Sequence, residues 1–255
     1  MNKQKIIFIT GATAGIGKAT ALIFAKNGWD LIITGRRKER LDSLSTKIEA
    51  DYQVKVLPLT FDVQDQAAVK TAIANVPKNW RSIDVLVNNA GLAVGRDSFQ
   101  EAQIDDWERM IDTNIKGLLY VSRLISPIMI EHQKGHIINV SSIAGTQVYA
   151  GGHVYCATKH AVEALSQGMR IDLLKHGIRV TSIQPGMVET EFSIVRFKGN
   201  KEQADSVYKD VTPLIAQDVA DTIHFAATRP AHVNINEIMI TCTAQANAFY
   251  THREN

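Results

Sequence analysis

The chain has 255 residues, 45% of them hydrophobic and 21% charged, the ordinary balance of a soluble globular protein with a sizeable buried core. Lys and Arg total 28 against 26 Asp and Glu, which leaves no strong field to gather nucleic acid or an anionic membrane, and no run approaches the ~20 apolar residues of a spanning helix. Two distant cysteines, Cys156 and Cys242, and an opening apolar run too short for a signal segment point to free thiols in a reducing compartment, so a cytoplasmic protein with a small-molecule partner is expected.

In chain order, the first predicted element is a strand at 5–10, KIIFIT, which runs directly into the glycine-rich stretch TGATAGIG at 10–17. A helix follows, with Ala19, Ile23 and Ala25 at helical spacing. Next come a strand at 30–34, a helix carrying Leu41, Leu44 and Ile48, and strands at 54–60, 83–87 and 136–140. A helix with Ala157, Ala161, Leu165, Met169 and Leu173 on one stripe precedes a strand at 178–183, and a last strand is expected at about 237–241. Val- and Ile-rich strands alternating with helices demand right-handed crossovers and a parallel sheet covered on both faces. With no linker, charge block or repeat, the fold class is α/β, a single doubly wound domain over 1–255 with about seven strands. Residues 186–213 are polar, basic and without a strand pattern, and a segment of that kind just after a late strand is placed to form a substrate-covering lid.

A glycine-rich turn between strand and helix lets backbone N–H groups approach a pyrophosphate, whose charge is also met by the positive helix end. The spacing Gly11-x3-Gly15-x-Gly17 departs from the common G-x-G-x-x-G, so the loop alone reads equally as a plain tight turn. The end of the second strand bears on the cofactor. An acidic residue there would accept hydrogen bonds from a ribose 2′-OH, whereas Thr34-Gly35-Arg36-Arg37 offers arginine to a 2′-phosphate. Arg36 can stack on an adenine and grip the phosphate through its planar fork, with Arg37 adding charge. That predicts NADP over NAD. The competing reading is that Arg36, Arg37, Lys38 and Arg40 open a solvated helix face.

TGATAGIG, Asn88-Asn89-Ala90-Gly91, Asn114, Ser142, Tyr155-Cys-Ala-Thr-Lys159 and Pro185-Gly186, in that order over nearly the whole chain, resemble the short-chain dehydrogenase/reductase family. The resemblance implies a Rossmann-type fold, a nicotinamide cofactor, and a catalytic set carried onto Asn114, Ser142, Tyr155 and Lys159, with Lys159 also on the nicotinamide ribose. It further implies Gly11, Thr13, Ala14, Gly15, Ile16 and Gly17 around the phosphates, and Asp62 and Val63 at the adenine. Asn89, Ala90 and Gly91 would lie along the cofactor, and Pro185, Val188 and Thr190 at the carboxamide. The residues give physical reasons for the same chemistry. Four apart on a helix, Tyr155 and Lys159 share a face, and an ammonium beside a phenol pulls its pKa down from ~10 toward working pH. Such a tyrosine exchanges a proton with an alcohol oxygen while hydride moves to or from a nicotinamide. Ser142, at a strand end, can hold the same oxygen by a hydrogen bond. Asn114, among apolar neighbours, is either a satisfied core amide or a link in a proton relay through Lys159.

Val195-Arg196-Phe197-Lys198-Gly199, Arg229-Pro230 and His232-Val-Asn-Ile-Asn236 are similar to a subgroup of NADP-dependent 3-hydroxy acid dehydrogenases that includes serine and allo-threonine dehydrogenases; Ile240-Thr241-Cys242-Thr243 depart from it. A carboxylate two carbons from a reacting alcohol needs a cation at the site mouth, and Arg196 or Lys198 could supply it beside Ser142 and Tyr155. Both residues read equally as solvated loop surface. Two rivals stay open: a carbonyl, ketone or sugar reductase using the same residues, and a non-catalytic NADP-sensing module. Cys156 points about 100° from Tyr155 on a helix and reads as packing. His153 and His160 read as solvated or capping, and no histidine spacing supports a metal. The resemblance also implies a homotetramer, assembled through the segments at 105–130 and 152–176, although Leu118, Val121 and Leu165 there equally fit a core.

Overall fold

The computed structural model describes residues 4–253. Its strands are β1 (Ile6–Ile9), β2 (Asp30–Gly35), β3 (Val56–Thr60), β4 (Ile83–Asn88), β5 (Gly135–Val140), β6 (Ile178–Pro185), the short pair β7 (Val188–Glu189) and β8 (Leu214–Ile215), and β9 (Glu237–Ile240). Seven of them form one parallel sheet in the order β3-β2-β1-β4-β5-β6-β9. The expected doubly wound α/β fold is therefore present. Around the sheet lie α1 (Gly15–Lys26), α2 (Lys38–Tyr52), α3 (Gln66–Ala74), α4 (Ile104–Ile111), α5 (Leu118–Glu131), α6 (His153–Leu173), α7 (Glu191–Arg196), α8 (Lys201–Ser206) and α9 (Ala216–Ala227). Among the described residues, no helix is long and apolar enough to cross a membrane.

Successive strand residues serve opposite layers, as the two-residue period of a strand requires. Ile7, Ile9, Leu31 and Ile33 pack with Phe24 of α1, Leu41 and Ile48 of α2, and Val219 and Ile223 of α9. Ile6, Phe8, Ile32 and Leu86 pack on the other face with Val69 and Ile73 of α3 and Val121, Ile125 and Met129 of α5. Helices α1 and α9 pack on each other, and Phe24 meets Trp29 and His224 edge-on at 5.0 and 5.1 Å between ring centroids. Because β1 has β2 on one side and β4 on the other, the sheet order reverses there, and a crevice opens beyond the carboxyl ends of these two strands.

Several expectations need correction. The third strand starts at Val56 rather than residue 54, because Lys55 N donates to the Asp30 carboxylate instead of a strand neighbour. The sixth extends to Pro185, since Gln184 and Pro185 still pair with Met239 and Ile240. The segment at 186–213 is not free of strand, for it contains β7, paired with β8, and the two short helices α7 and α8. Each helix is started by a side-chain cap, Thr190 accepting from Phe192 N and Asn200 from Gln203 N. On α6 the buried face holds Tyr155, Cys156, Thr158, Lys159, Val162, Glu163 and Ser166, whereas Ala157 is exposed and Ala161 and Leu165 half-buried. The apolar stripe read from the sequence thus faces outward in its first half, at Ala157, Ala161 and Leu165, while Met169 and Leu173 pack against the core. Leu118 and Val121 belong to the core.

Gly17 lies where α1 crosses the end of β1, and a Cβ there would run into the Asn89 amide and the Gly11 carbonyl. Gly168, inside α6, has open space around it. Gly17→Ala is expected to destabilise the fold by about 2 kcal/mol through overpacking, and Gly168→Ala to stabilise it by about 0.5–1 kcal/mol through helix propensity. Urea denaturation of both variants beside the wild type checks the two signs.

Candidate active site

The crevice is a cleft of about 690 Å³. Its floor begins with the loop after β1. Gly11 and Gly15 have φ of +67° and +50°, a region that side chains with a Cβ rarely adopt. A Cβ on Gly15 would stand 3.3 Å from Thr190, and one on Gly11 would stand 3.0 Å from the Ala90 backbone. Thr10 Oγ1 accepts from Asn89 N and Ala90 N at 3.0 and 2.9 Å, and the Asn89 amide donates to the carbonyls of Thr10 and Gly11. The loops after β1 and β4 are thereby joined. Gly11, Thr13, Ala14, Gly15, Ile16, Asp62, Val63, Asn89, Ala90 and Gly91 all line the cleft, as do Pro185, Val188 and Thr190 on the opposite wall. Gly17 does not line it and packs α1 against Asn89 and Gly11 instead.

Arg36 and Arg37 line the same end of the cleft. Arg36 makes one ion pair, to Asp62 at 3.3 Å, and remains about half exposed. Arg37 is more committed, with two N–H groups on Thr13 Oγ1 and another 2.9 Å from Glu191. No acid stands at the end of β2, where Gly35 fits closely against Thr13. A loop with positive φ at two glycines, backed by arginines, fits a dinucleotide that carries a 2′-phosphate.

Tyr155, Lys159 and Ser142 meet deeper in the cleft and are all buried. Ser142 Oγ accepts from Ala144 N at 3.1 Å and donates to Pro185 O at 3.4 Å. Lys159 Nζ donates to Val140 O at 2.9 Å and lies 5.9 Å from the Tyr155 ring centroid. The expected fall in the tyrosine pKa is absent. Burial raises the phenol above its usual range, with Tyr149 adding to the rise and Ser142 and Arg196 opposing it. Burial likewise pushes Lys159 down to about 8, against the opposing charge of Glu163. Desolvation is the dominant cause at both groups. Asn114 lies behind the cleft wall in a π turn, Asp112–Gly117; its amide donates to Leu92 O and Thr158 Oγ1, and its oxygen accepts from Leu92 N. Only Gly91 separates it from Lys159, since a Cβ there would stand 3.3 Å from Asn114 Oδ1 and 3.5 Å from Lys159 Nζ.

Arg196 projects from the end of α7 over Tyr155, its guanidinium carbon 5.7 Å from that ring centroid and 5.3 Å from that of Tyr149. It donates to the Tyr149 hydroxyl at 2.9 Å, and its Nε is buried with no hydrogen-bond partner among the described residues. Lys198 does not line the cleft and pairs with Asp106 at 2.7 Å. Sequence reasoning missed Tyr149, Arg96 and Glu191, which all line the cleft. Tyr149 carried a weak signal as an aromatic in the glycine-flanked loop before α6, whereas Glu191 carried none. Cys156 is fully buried with Leu92 and Met110. His160 bonds back to Cys156 O, and His153 stacks edge-on against Trp107 and Phe99. Among the described residues no three His, Cys, Asp or Glu groups gather as a metal site.

Because the folded pKa of Lys159 lies below the 10.5 of an unperturbed lysine, the charged form opposes folding below about pH 8, and the opposition fades between about 8 and 10.5. Lys159→Met is expected to abolish turnover yet stabilise the fold at pH 7 by roughly 2 kcal/mol. The gain shrinks as pH rises to 10, which thermal melts across that range measure.

A family profile described as short chain dehydrogenase matches residues 5–201. A serine 3-dehydrogenase from Rhizobium radiobacter is 47% identical over 250 residues, covering 98% of each chain. An NADP-dependent 3-hydroxy acid dehydrogenase from Salmonella typhi is 47% identical over 244 residues, covering 95% of this chain and 97% of that one. The solved closed form of a serine dehydrogenase complexed with NADP+ superposes with a TM-score of 0.91 at 43% identity, over 98% of this chain and all of that one. The chain belongs to the short-chain dehydrogenase family.

Proposed function

We propose that the protein is an NADP-dependent oxidoreductase that oxidises the 3-hydroxyl of a short 3-hydroxy acid of the serine, allo-threonine or 3-hydroxypropionate type, or reduces the matching semialdehyde. NADP, held by the glycine loop and Arg36, supplies the hydride acceptor or donor. The observation that carries the substrate class is Arg196, a cation over the Tyr155 ring with a buried, unpartnered Nε. One short acid can reach both groups, its hydroxyl at Tyr155 and its carboxylate in the arginine fork. Lys198 is a poor second candidate because Asp106 already neutralises it. The substrates named for the two relatives support the same class.

Tyr155 moves the proton at the reacting oxygen. As phenolate it accepts the hydroxyl proton while the carbon loses hydride, and as phenol it donates a proton to the carbonyl oxygen in the reverse direction. Ser142 holds that oxygen beside it, and Lys159 with Asn114 behind it offers the proton a path away from the site. Arg196 and the Tyr149 hydroxyl orient the acid end. A reductase of ketones, sugars or other uncharged carbonyls would use the same proton donor, and it differs in having no need of Arg196. The whole chain would act as one catalytic domain in the cytoplasm. The outward stripe of Ala157, Ala161 and Leu165 on α6 supports assembly into a homotetramer.

Arg196→Gln is expected to lower kcat/KM for 3-hydroxy acids about 100-fold while uncharged secondary alcohols change little, since a charge-assisted fork is lost. Steady-state rates with NADP over a panel of both substrate types test this, and equal losses would favour the carbonyl reductase. Since burial keeps the phenol protonated at neutral pH, kcat/KM for oxidation should climb between pH 7 and 10 while that for reduction does not. A flat oxidation profile would remove Tyr155 as the base.

A further inference from the structure

Glu191 opens α7 and lines the cleft, and its carboxylate is shared by Arg37 and Arg40 at the start of α2. Oε2 lies 2.9 Å from Arg37 and Oε1 2.8 Å from Arg40, residues 154 and 151 positions away in the sequence. These bonds hold the carboxyl below the usual carboxylate range, Arg37 contributing most. Three arginines, Arg36, Arg37 and Arg40, therefore stand with two carboxylates, Asp62 and Glu191, at the end of the cleft that fits a 2′-phosphate. The positive charge available to that phosphate is smaller than the arginine count suggests.

We propose that Glu191 is a specificity-determining residue: its charge competes with the cofactor 2′-phosphate for Arg37, lowering affinity for NADP more than affinity for NAD. The inference rests on the NADP reading above. A ribose 2′-hydroxyl carries no charge, so a nearby carboxylate acts on it weakly, whereas a phosphate of nearly two negative charges meets like-charge repulsion. The effect suits an enzyme that must release its cofactor in every turnover. Glutamine is the substitution of choice, because its amide oxygen can still accept from one of the two arginines while the charge is removed.

Calorimetric titration of the protein with NADP+ and separately with NAD+, at low and at high salt, tests the proposal without a substrate. Glu191→Gln should bind NADP+ about five-fold more tightly than wild type at low salt, with a smaller gain for NAD+ and both gains reduced at high salt. Glu191→Asp, which keeps the charge, should retain the wild-type ratio. Arg40→Gln, which leaves Glu191 wholly to Arg37, should weaken NADP+ more than NAD+ and serves if the Glu191 variants fail to fold. Equal shifts for both cofactors, or weaker NADP+ binding by Glu191→Gln, would overturn the proposal. A wild-type protein that binds NAD+ as tightly as NADP+ would instead overturn the NADP reading, and this inference with it.

Discussion

The site hangs on the Thr10 hydroxyl. Buried at the end of β1, it accepts two backbone N–H groups from the loop after β4, and the Asn89 side chain returns two bonds to the carbonyls of Thr10 and Gly11. Parallel strands leave such loops unpaired at their carboxyl ends, and here the loops satisfy each other. The exchange fixes the glycine loop, whose close approach to its neighbours in turn requires the missing side chains of Gly11, Gly15 and Gly17.

The inward face of α6 departs from ordinary core composition. Lys159, Glu163 and Tyr155 are buried there with Ser166, which bonds to Asn139 and to its own helix, while Ala157, Ala161 and Leu165 of the same helix look outward. Glu163 takes the Ser182 hydroxyl at 2.7 Å, and its second oxygen finds no partner among the described residues. Burying charge in this way weakens the fold, and Lys159 registers the strain as a pKa near 8. Sites that keep such groups commonly give up stability for reactivity.

The fold was largely legible in the sequence, because strands buried on both faces announce themselves as Val/Ile runs between turn residues, and all seven sheet strands stand within two residues of their expected ends. Local spacing also carried Tyr155 with Lys159, Ser142 at its strand end and the glycine loop. What escaped depends on contacts that spacing cannot encode. Glu191 meets Arg37 and Arg40 only because α7 folds back across the cleft. The phenol of Tyr155 responds to total burial, which a two-residue argument about Lys159 underrates. The stripe on α6 left its covering open for a related reason, since hydrophobic periodicity marks an apolar face without saying whether the chain itself covers it.

The packing of α1 on α9 has a kinetic side. The glycine loop ends in α1, near the start of the chain, but the Phe24 cluster of α1 is completed by His224 and buried beneath α9 roughly two hundred residues later. Contacts that distant in sequence form late, after the loop-closure entropy between them has been overcome. During synthesis the phosphate loop is thus among the earliest segments made, and the helix it opens stays uncovered on one side until α9 has followed it.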